Sequence, residues 1–419
     1  MEVYKFGGAS VKDAKGVINL GDIIAQHGGN NLWVVVSAMG KTTNALEEVF
    51  DAWHRGNTAE ASEKISVIRN QHHEIIKGAF TGLSCEPVIN DVNEYFKALE
   101  KLVKEDPSDN QAANYDAVVS FGEMVSTRIV YQYLNFRKLP AQWLNASKIV
   151  RTDRNFKKAN VVWEKTAEKV TSINHTYPDK IKITQGFVGG TEEGHVTTLG
   201  REGSDFSGAI LAFCSNASAL TIWKDVPGLL NADPRLFEST VKLEEISYKE
   251  ALELSYYGAS VIHPKTVKPL QNKSIPLYIK PFLSPKEKGS KIHQTEHFDT
   301  DIPSFIIKPN QKLLSISTRD FSFVVEEHLT DLFAAFHKHQ ISINLMQNSA
   351  ISFTAAVDGN CNLEPLIEEL KNRYKVLYND GAELITIRHF NQEVIDQLTR
   401  GKEILVEQKT RSTVRFICK

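Results

Sequence analysis

The residues best suited to chemistry in this chain are gathered in short Gly-rich or polar segments at the ends of apolar runs. The first is Lys5-Phe6-Gly7-Gly8-Ala9-Ser10. Glycines between a strand and a helix let backbone N–H groups approach phosphate oxygens, and the helix N-terminus adds positive potential. A lysine at the strand end can then reach a transferring phosphoryl group; the plainer alternative is a Gly-Gly turn. The second segment, Ser37-Ala38-Met39-Gly40-Lys41-Thr42-Thr43-Asn44, contains Gly-Lys-Thr but is not a P-loop, because Val35 stands where the earlier glycine is needed. It is either another phosphate or substrate loop or a polar turn. In Ser120-Phe121-Gly122-Glu123, the carboxylate at a helix start either compensates the dipole or holds a substrate ammonium. A fourth group joins Gln185-Gly186-Phe187 to Gly200-Arg201-Glu202-Gly203-Ser204-Asp205. The planar fork of Arg201 suits a carboxylate. Asp205 either caps a helix or organises a phosphoryl-transfer centre. Lys224, Asp225 and Arg235 lie around a Pro227-Gly228 turn and could grip a nucleotide.

These segments need a scaffold, and the pattern supplies one. Strands are expected at 3–6, 32–37, 181–185, 195–199 and 219–223. Helices are expected from a capping-box-like start at Ser10 and Asp13 to about His27, over 42–105 with breaks near Gly56 and Gly82, and over 122–137. Strands separated by helices imply a mainly parallel sheet sandwiched by helices, an α/β domain over 1–284. Residues 284–304 are polar and Pro/Gly-containing, which marks a boundary. Beyond it the expected order is strand 312–318, strand 322–326, helix 330–339, strands 341–345 and 350–357, and helix 363–374. That is an α+β (βαββαβ) module over 305–378, followed by a truncated second copy over 379–419.

Composition narrows the function class. The 419 residues are 42% hydrophobic and 24% charged, with a net charge of −2. No basic stripe points to nucleic acid, and no apolar run reaches the roughly 18–20 residues of a membrane span. The N-terminus lacks a signal-peptide pattern. Cys85, Cys214, Cys361 and Cys418 lie far apart without a CxxC, which favours reduced thiols and a cytoplasmic location.

Taken in order, the segments resemble aspartate kinases of the amino-acid kinase superfamily. The matches are KFGGAS at 5–10, VVVSAMGKTTN at 34–44, FGEMVSTR at 121–128, ITQGFVGGTEEGHVTTLGREGSD at 183–205, IWKDVPGLLNADPR at 222–235 and YYGASVIHPKT at 256–266. The resemblance covers the whole chain, because that family ends in ACT-type regulatory modules. It implies ATP-dependent phosphorylation of the L-aspartate side-chain carboxylate to 4-phospho-L-aspartate, the first step of lysine, threonine and methionine biosynthesis. ATP brings Mg²⁺ with it. By the same resemblance, Lys5 lies on the transferring phosphoryl group, and Gly7, Gly8 and Ser10 cradle phosphates. Ser37, Thr43, Glu123, Phe187, Arg201 and Ser204 bind the amino acid, with Arg201 on its α-carboxylate and Glu123 on its α-ammonium. Asp205 organises Lys5, while Lys224, Asp225, Arg235 and Ser260 hold the nucleotide. A carboxylate nucleophile with a reference pKa of ~4 needs no general base. Two rival readings are a sister kinase of glutamate or N-acetylglutamate and a non-catalytic ACT-type amino-acid sensor. The ammonium partner at Glu123 argues against an N-acylated substrate, and Lys5, Arg201 and Asp205 argue against a dead sensor.

Several positions depart from the family pattern. Glu202 replaces a glycine and could compete for Arg201. Lys224, Leu230 and Ser260 replace a common Thr, Tyr and Lys, and Lys224 could restore the charge that Ser260 lacks. The resemblance also implies a homodimer joined through the ACT-like region. Asn344 stands where lysine-sensitive relatives place a carboxylate, so weak or absent lysine inhibition is expected, with Asn344 and Ser349 as the effector contacts if one binds. No further domain follows Lys419, so a monofunctional kinase is expected.

Overall fold

The computed structural model describes residues 1–29, 31–81, 84–259, 262–295, 302–320 and 322–419. The chain forms two compact units. The first comprises Met1–Leu229, Lys242–Leu252 and Ser260–Glu296, and the second Leu230–Val241, Glu253–Ala259 and His297–Lys419.

The first unit is built on an eight-stranded sheet. Its order is Glu245–Ser247, Ser290–His293, Leu277–Pro281, Ala219–Lys224, Glu2–Phe6, Leu32–Val36, Ile181–Gln185 and Ala141–Trp143. The strands from Leu277–Pro281 to Ala141–Trp143 all run parallel. Leu32–Val36 is buried at every position, as expected of a β-branched strand covered on both faces. The chain leaves Glu2–Phe6 on one side for Leu32–Val36 and returns on the other as Ala219–Lys224. The strand order therefore reverses at Glu2–Phe6, and open α/β sheets bind ligands at such a reversal, beyond the C-terminal strand ends.

Local chemistry explains where the helices begin and end. Helix Ala14–His27 is capped by Asp13, whose carboxylate accepts the Gly16 N–H at 2.8 Å. Ser10 is not part of the cap; its N–H donates to the Gly7 carbonyl at 3.0 Å and closes a turn. The long helical region resolves into Thr42–His54, Thr58–Ala79 and Glu86–Leu102. Gly56, at φ +74°, makes the first break, and the break expected at Gly82 lies outside the described residues. Helix Gln111–Val119 was not anticipated; Asn110 caps it by accepting the Ala113 N–H at 3.0 Å. Among the described residues, no helix is long and apolar enough to cross a membrane.

The second unit holds a six-stranded antiparallel sheet in the order Ile343–Asn348, Ser352–Asp358, Ser304–Thr318, Tyr374–Arg388, Thr413–Cys418, Ile404–Lys409. Ser304–Thr318 and Tyr374–Arg388 are each 15 residues long and serve two modules. Residues 311–318 pair with Ser352–Asp358 and with 374–382, while residues 304–308 pair with 384–388. The strand position left open in the second module is thus filled from upstream in the chain. The strand expected at 322–326 does not form. Asp320 accepts both the N–H and the hydroxyl of Ser322, a local turn that diverts the chain into helix Glu326–Lys338. The helix expected at 363–374 is also shorter, Glu364–Leu370, because Tyr374 already starts the next strand.

Candidate active site

The C-terminal ends of the parallel strands lie along one edge of the sheet, since Phe6 is in register with Val36 and Trp223, and Val36 with Gln185. The segments that follow these ends contain most of the residues singled out in the sequence. At the reversal point Lys5, in register with Val35 and Ile222, meets Asp205 from the first turn of helix Gly203–Cys214. Lys5 Nζ is 2.6 Å from Asp205 Oδ1, and Lys224 Nζ is 3.1 Å from Oδ2. Burial alone would raise the Asp205 pKa, but the charges of Lys5 and Lys224 outweigh it and hold the carboxyl below its ordinary range. Two cations share one anion, which leaves a net positive centre beside the turn at Gly7 and Gly8.

That turn tolerates nothing larger than glycine at position 8. A Cβ on Gly8 would sit 2.5 Å from the Ala38 carbonyl oxygen and 3.2 Å from that of Gly40. The 7–10 turn and the 37–40 loop are therefore held in backbone contact, with the Gly40 N–H donating to the Gly8 carbonyl at 3.0 Å. Ser10 is buried, and its hydroxyl donates to the Trp223 carbonyl at 3.4 Å.

Beside this centre lies a cleft of about 730 Å³. All six residues expected to bind the amino acid, Ser37, Thr43, Glu123, Phe187, Arg201 and Ser204, line it together with Gly8. Glu123 is 2% exposed. Its Oε1 accepts the Ala38 N–H at 3.1 Å, and its buried Oε2 has no hydrogen-bond partner. Burial pushes its pKa up to about 8, against the Ala38 N–H and the charge of Lys5. A carboxylate kept this dry, with one oxygen unused, is a seat for a cationic group. Arg201 is exposed at the cleft. It forms no ion pair with Glu202, whose backbone is left-handed at φ +54° and whose Oε2 is buried without a partner. Phe187 is likewise left-handed at φ +52°, and its N–H donates to Ser207 at 2.8 Å. Ser204 lies so close to Gly186 that a Cβ there would meet its hydroxyl oxygen at 2.6 Å.

Several cleft residues escaped the sequence reading. Tyr115 and Glu47 line the cleft and hydrogen-bond at 2.6 Å, and Lys157 lines it with Nζ 4.2 Å from the Tyr115 ring centre. Asp116 supports this wall from beneath. It is fully buried and accepts the Lys157 N–H at 2.9 Å and both the N–H and hydroxyl of Thr198 at 2.9 and 2.7 Å. The helix carrying Tyr115 and Asp116 announces itself only through its cap, Asn110.

The remaining expected contacts are spread out. Asp225 is exposed. Arg235 belongs to the second unit, where its 81% exposed side chain pairs with Asp233 at 2.6 Å. Ser260 lies outside the described residues. In the second unit Asn344 is engaged by the protein itself: Oδ1 accepts from Lys308 at 3.0 Å, and Nδ2 donates to Gln311 at 2.9 Å and Asp358 at 2.8 Å. Ser349 is exposed in the turn after Ile343–Asn348, where its hydroxyl bonds that of Ser352 at 2.8 Å. Asn344 lines a cavity of the second unit that does not include Ser349 in its lining.

Comparison with known proteins agrees with this geometry. The pattern of the Amino acid kinase family matches residues 1–281. Lysine-sensitive aspartokinase 3 of Escherichia coli (strain K12) is 29% identical over 426 residues, covering 99% of this chain and 92% of that protein. Chloroplastic aspartokinase 1 of Arabidopsis thaliana is 31% identical over 408 residues, covering 92% of this chain and 70% of that protein. The crystal structure of E. coli aspartokinase III in complex with aspartate and ADP (R-state) superposes with a TM-score of 0.82 at 26% identity, over 100% of this chain and 96% of that one. The chain belongs to the amino acid kinase family, and within it to the aspartokinases.

Proposed function

We infer that this chain transfers the γ-phosphoryl group of ATP to the side-chain carboxylate of L-aspartate, giving 4-phospho-L-aspartate and ADP. The observation that carries this reading is the single cleft in which Glu123, with its unused buried oxygen, faces the same space as Arg201, beside the Lys5–Asp205–Lys224 centre. In the proposed complex the α-ammonium sits on Glu123 and the α-carboxylate on Arg201. The side-chain carboxylate then points to the γ-phosphorus. A carboxylate oxygen forms the new bond to phosphorus while the bond to the β,γ-bridging oxygen breaks and ADP leaves. The nucleophile is already ionised, so the barrier lies in bringing two anions together in line. Lys5, Lys224 and the N–H groups of the 7–10 turn offset that repulsion, and Mg²⁺ arrives on the nucleotide as part of the substrate. Asp225 stands next to Lys224 at the strand end, where nucleotide contacts are proposed; no such role is assigned to the exposed Arg235.

The rival substrates are separated by one assay. The protein is incubated with MgATP and L-aspartate, L-glutamate or N-acetyl-L-glutamate, and acyl phosphate is trapped with hydroxylamine while ADP is followed. Hydroxamate with aspartate alone is expected. Hydroxamate only with N-acetylglutamate would move the chain to a sister activity, and none with any substrate would favour an amino-acid sensor.

We also propose a homodimer joined through the second unit. Ile343–Asn348 is an edge strand of its sheet, and Leu377 and Tyr378 on Tyr374–Arg388 are 58% and 50% exposed. Open edges and apolar faces of this kind are normally covered. Sedimentation at micromolar concentration checks this; a monomer overturns it. Inhibition by lysine is proposed to be weak, because the amide of Asn344 is already committed to Lys308, Gln311 and Asp358. A cytoplasmic location is supported by four free cysteines.

A further inference from the structure

We propose that the second unit holds a binding site for a small carboxylate with an apolar or aromatic body, in which Arg415 takes the carboxylate. The site is a cavity of about 580 Å³ walled by Tyr256, Tyr257, Phe333 and Met346, with His337 and Arg415 among its polar groups. Arg415 lies on Thr413–Cys418, a strand buried at every position, and is itself only 9% exposed.

The guanidinium has no acidic partner among the described residues. Nη2 donates to the Asn344 carbonyl at 2.6 Å and Nε to the Thr386 hydroxyl at 3.4 Å, both neutral acceptors. The carboxylates of this region are already engaged. Asp358 accepts from Asn344 and Gln311, and Glu253 pairs with Arg388 at 3.3 Å. Lys308, bound to Asn344 Oδ1, adds a second positive charge. Burial lowers the Arg415 pKa, and only the phenols of Tyr257 and Tyr256 favour its charge. A buried guanidinium left without a counter-ion is costly to hold, and an anion entering the cavity would remove that cost. Its planar fork matches a carboxylate.

The walls determine the rest of the ligand. The Tyr257 ring lies 5.0 Å from the guanidinium carbon, so one face of the cation is already covered by a ring. Tyr256 is 68% exposed and Phe333 42%, which offers apolar surface to a ligand body rather than to the core. Arg415 in the wall, with Lys308 behind Asn344, makes the cavity a poor host for a ligand with a cationic side chain. The inference does not rest on the kinase reaction, because none of these residues lines the catalytic cleft.

The test uses the full chain and follows its thermal unfolding midpoint and calorimetric heat with four probes: phenylpyruvate, L-phenylalanine, phenethylamine and L-lysine. Phenylpyruvate and L-phenylalanine should bind saturably, whereas phenethylamine, which lacks the carboxylate, and L-lysine should not. Arg415→Met should weaken the binding by roughly tenfold or more while leaving aspartate-dependent ADP release unchanged without probe. Tyr256→Ala, at an exposed position that does not threaten folding, should weaken it as well. Binding that is equal for phenethylamine, or unchanged in both variants, overturns the site. Absence of binding by every probe, with Arg415→Met altering only the sedimentation coefficient, also overturns it and assigns the cavity to a second copy of the chain.

Discussion

Lys5 and Asp205 form a buried ion pair at 2.6 Å where the strand order reverses, and the other oxygen of Asp205 is taken by Lys224 at 3.1 Å. One carboxylate thus orients two ammonium groups. Lys5 has three N–H donors and spends one on Asp205, leaving donors for phosphate oxygens. The pair costs desolvation on both sides, and a purely apolar replacement would be no less stable. Its position at the ligand edge of the sheet is therefore better explained by chemistry than by stability.

Lys5→Met should abolish turnover, by roughly 10³-fold or more, with an unchanged circular dichroism spectrum. Asp205 keeps Lys224 in this variant, so no buried charge is left alone. Asp205→Asn should also lose turnover and should change the acid limb of stability. The folded pKa of Asp205 is lowered, so its contribution is present above the unfolded value of ~4 and is lost as pH falls through the lower folded value. Normal turnover in Lys5→Met would remove the proposed assignment.

Glu123 predicts how aspartate affinity depends on pH. With a folded pKa of about 8, it is mostly protonated at neutral pH in the free protein. Only the ionised form attracts an ammonium, so the KM for aspartate should fall as pH rises from 7 through 8 and level off about one unit above the Glu123 pKa. Calorimetry near pH 7 in buffers of different ionisation enthalpy should show up to about one proton released per aspartate bound. Glu123→Gln should bind more weakly and lose this dependence. A KM that is flat with pH in the parent protein would mean the ammonium lies elsewhere.

How far the sequence reaches depends on whether a residue acts locally or through distant partners. Lys5, the Gly7-Gly8 turn and Asp205 could be singled out because each stands at a strand end or in a first helical turn, but their expected roles came only from the family resemblance. Asp116 was not. Its helix buries Asn114 and Asp116 as well as Val118 and Val119, so it carries no apolar stripe. Residues 304–308 were not read as a strand of the second module, because their partners at 384–388 are far away in the chain. Arg415 gave no signal either: on a strand flanked by apolar residues it would ordinarily face water, and only the sheet order encloses it. Asn344 was read as an effector contact if one binds, and the network that occupies its amide comes from two other strands, Ser304–Thr318 and Ser352–Asp358.

Glu202 bears two separate local costs. Its left-handed backbone at φ +54° disfavours a residue with a Cβ, and its Oε2 is buried without a partner beside a cleft proposed to bind anions. Glu202→Gly should therefore stabilise the protein by about 1 kcal/mol in denaturant unfolding. The same change should lower the KM for aspartate, because a carboxylate no longer stands next to Arg201. A raised KM would show instead that Glu202 holds a positive group in the complex.

His72, which does not line the cleft, predicts a separate acid transition. It is 1% exposed within helix Thr58–Ala79 and packs edge-on to Phe96 at 5.8 Å. Its Nδ1 is 2.7 Å from the Ile68 carbonyl, which can only accept, so Nδ1 carries the proton and Nε2 is left as an unpartnered acceptor. Protonating Nε2 would place a charge and an unsatisfied donor in the core. Burial accordingly lowers the pKa from 6.5 to about 4. The folded value lies below the unfolded one, so this contribution is fully present above about pH 6.5 and is lost as pH falls toward 4. A shift of this size corresponds to an order of ~3 kcal/mol. The window lies above that of Asp205, which allows the two to be separated. Urea unfolding of the parent protein should show a declining stability between pH 6.5 and 4.5, and His72→Leu, of similar volume, should flatten that decline. If both proteins lose the same stability over this interval, His72 is not the group responsible.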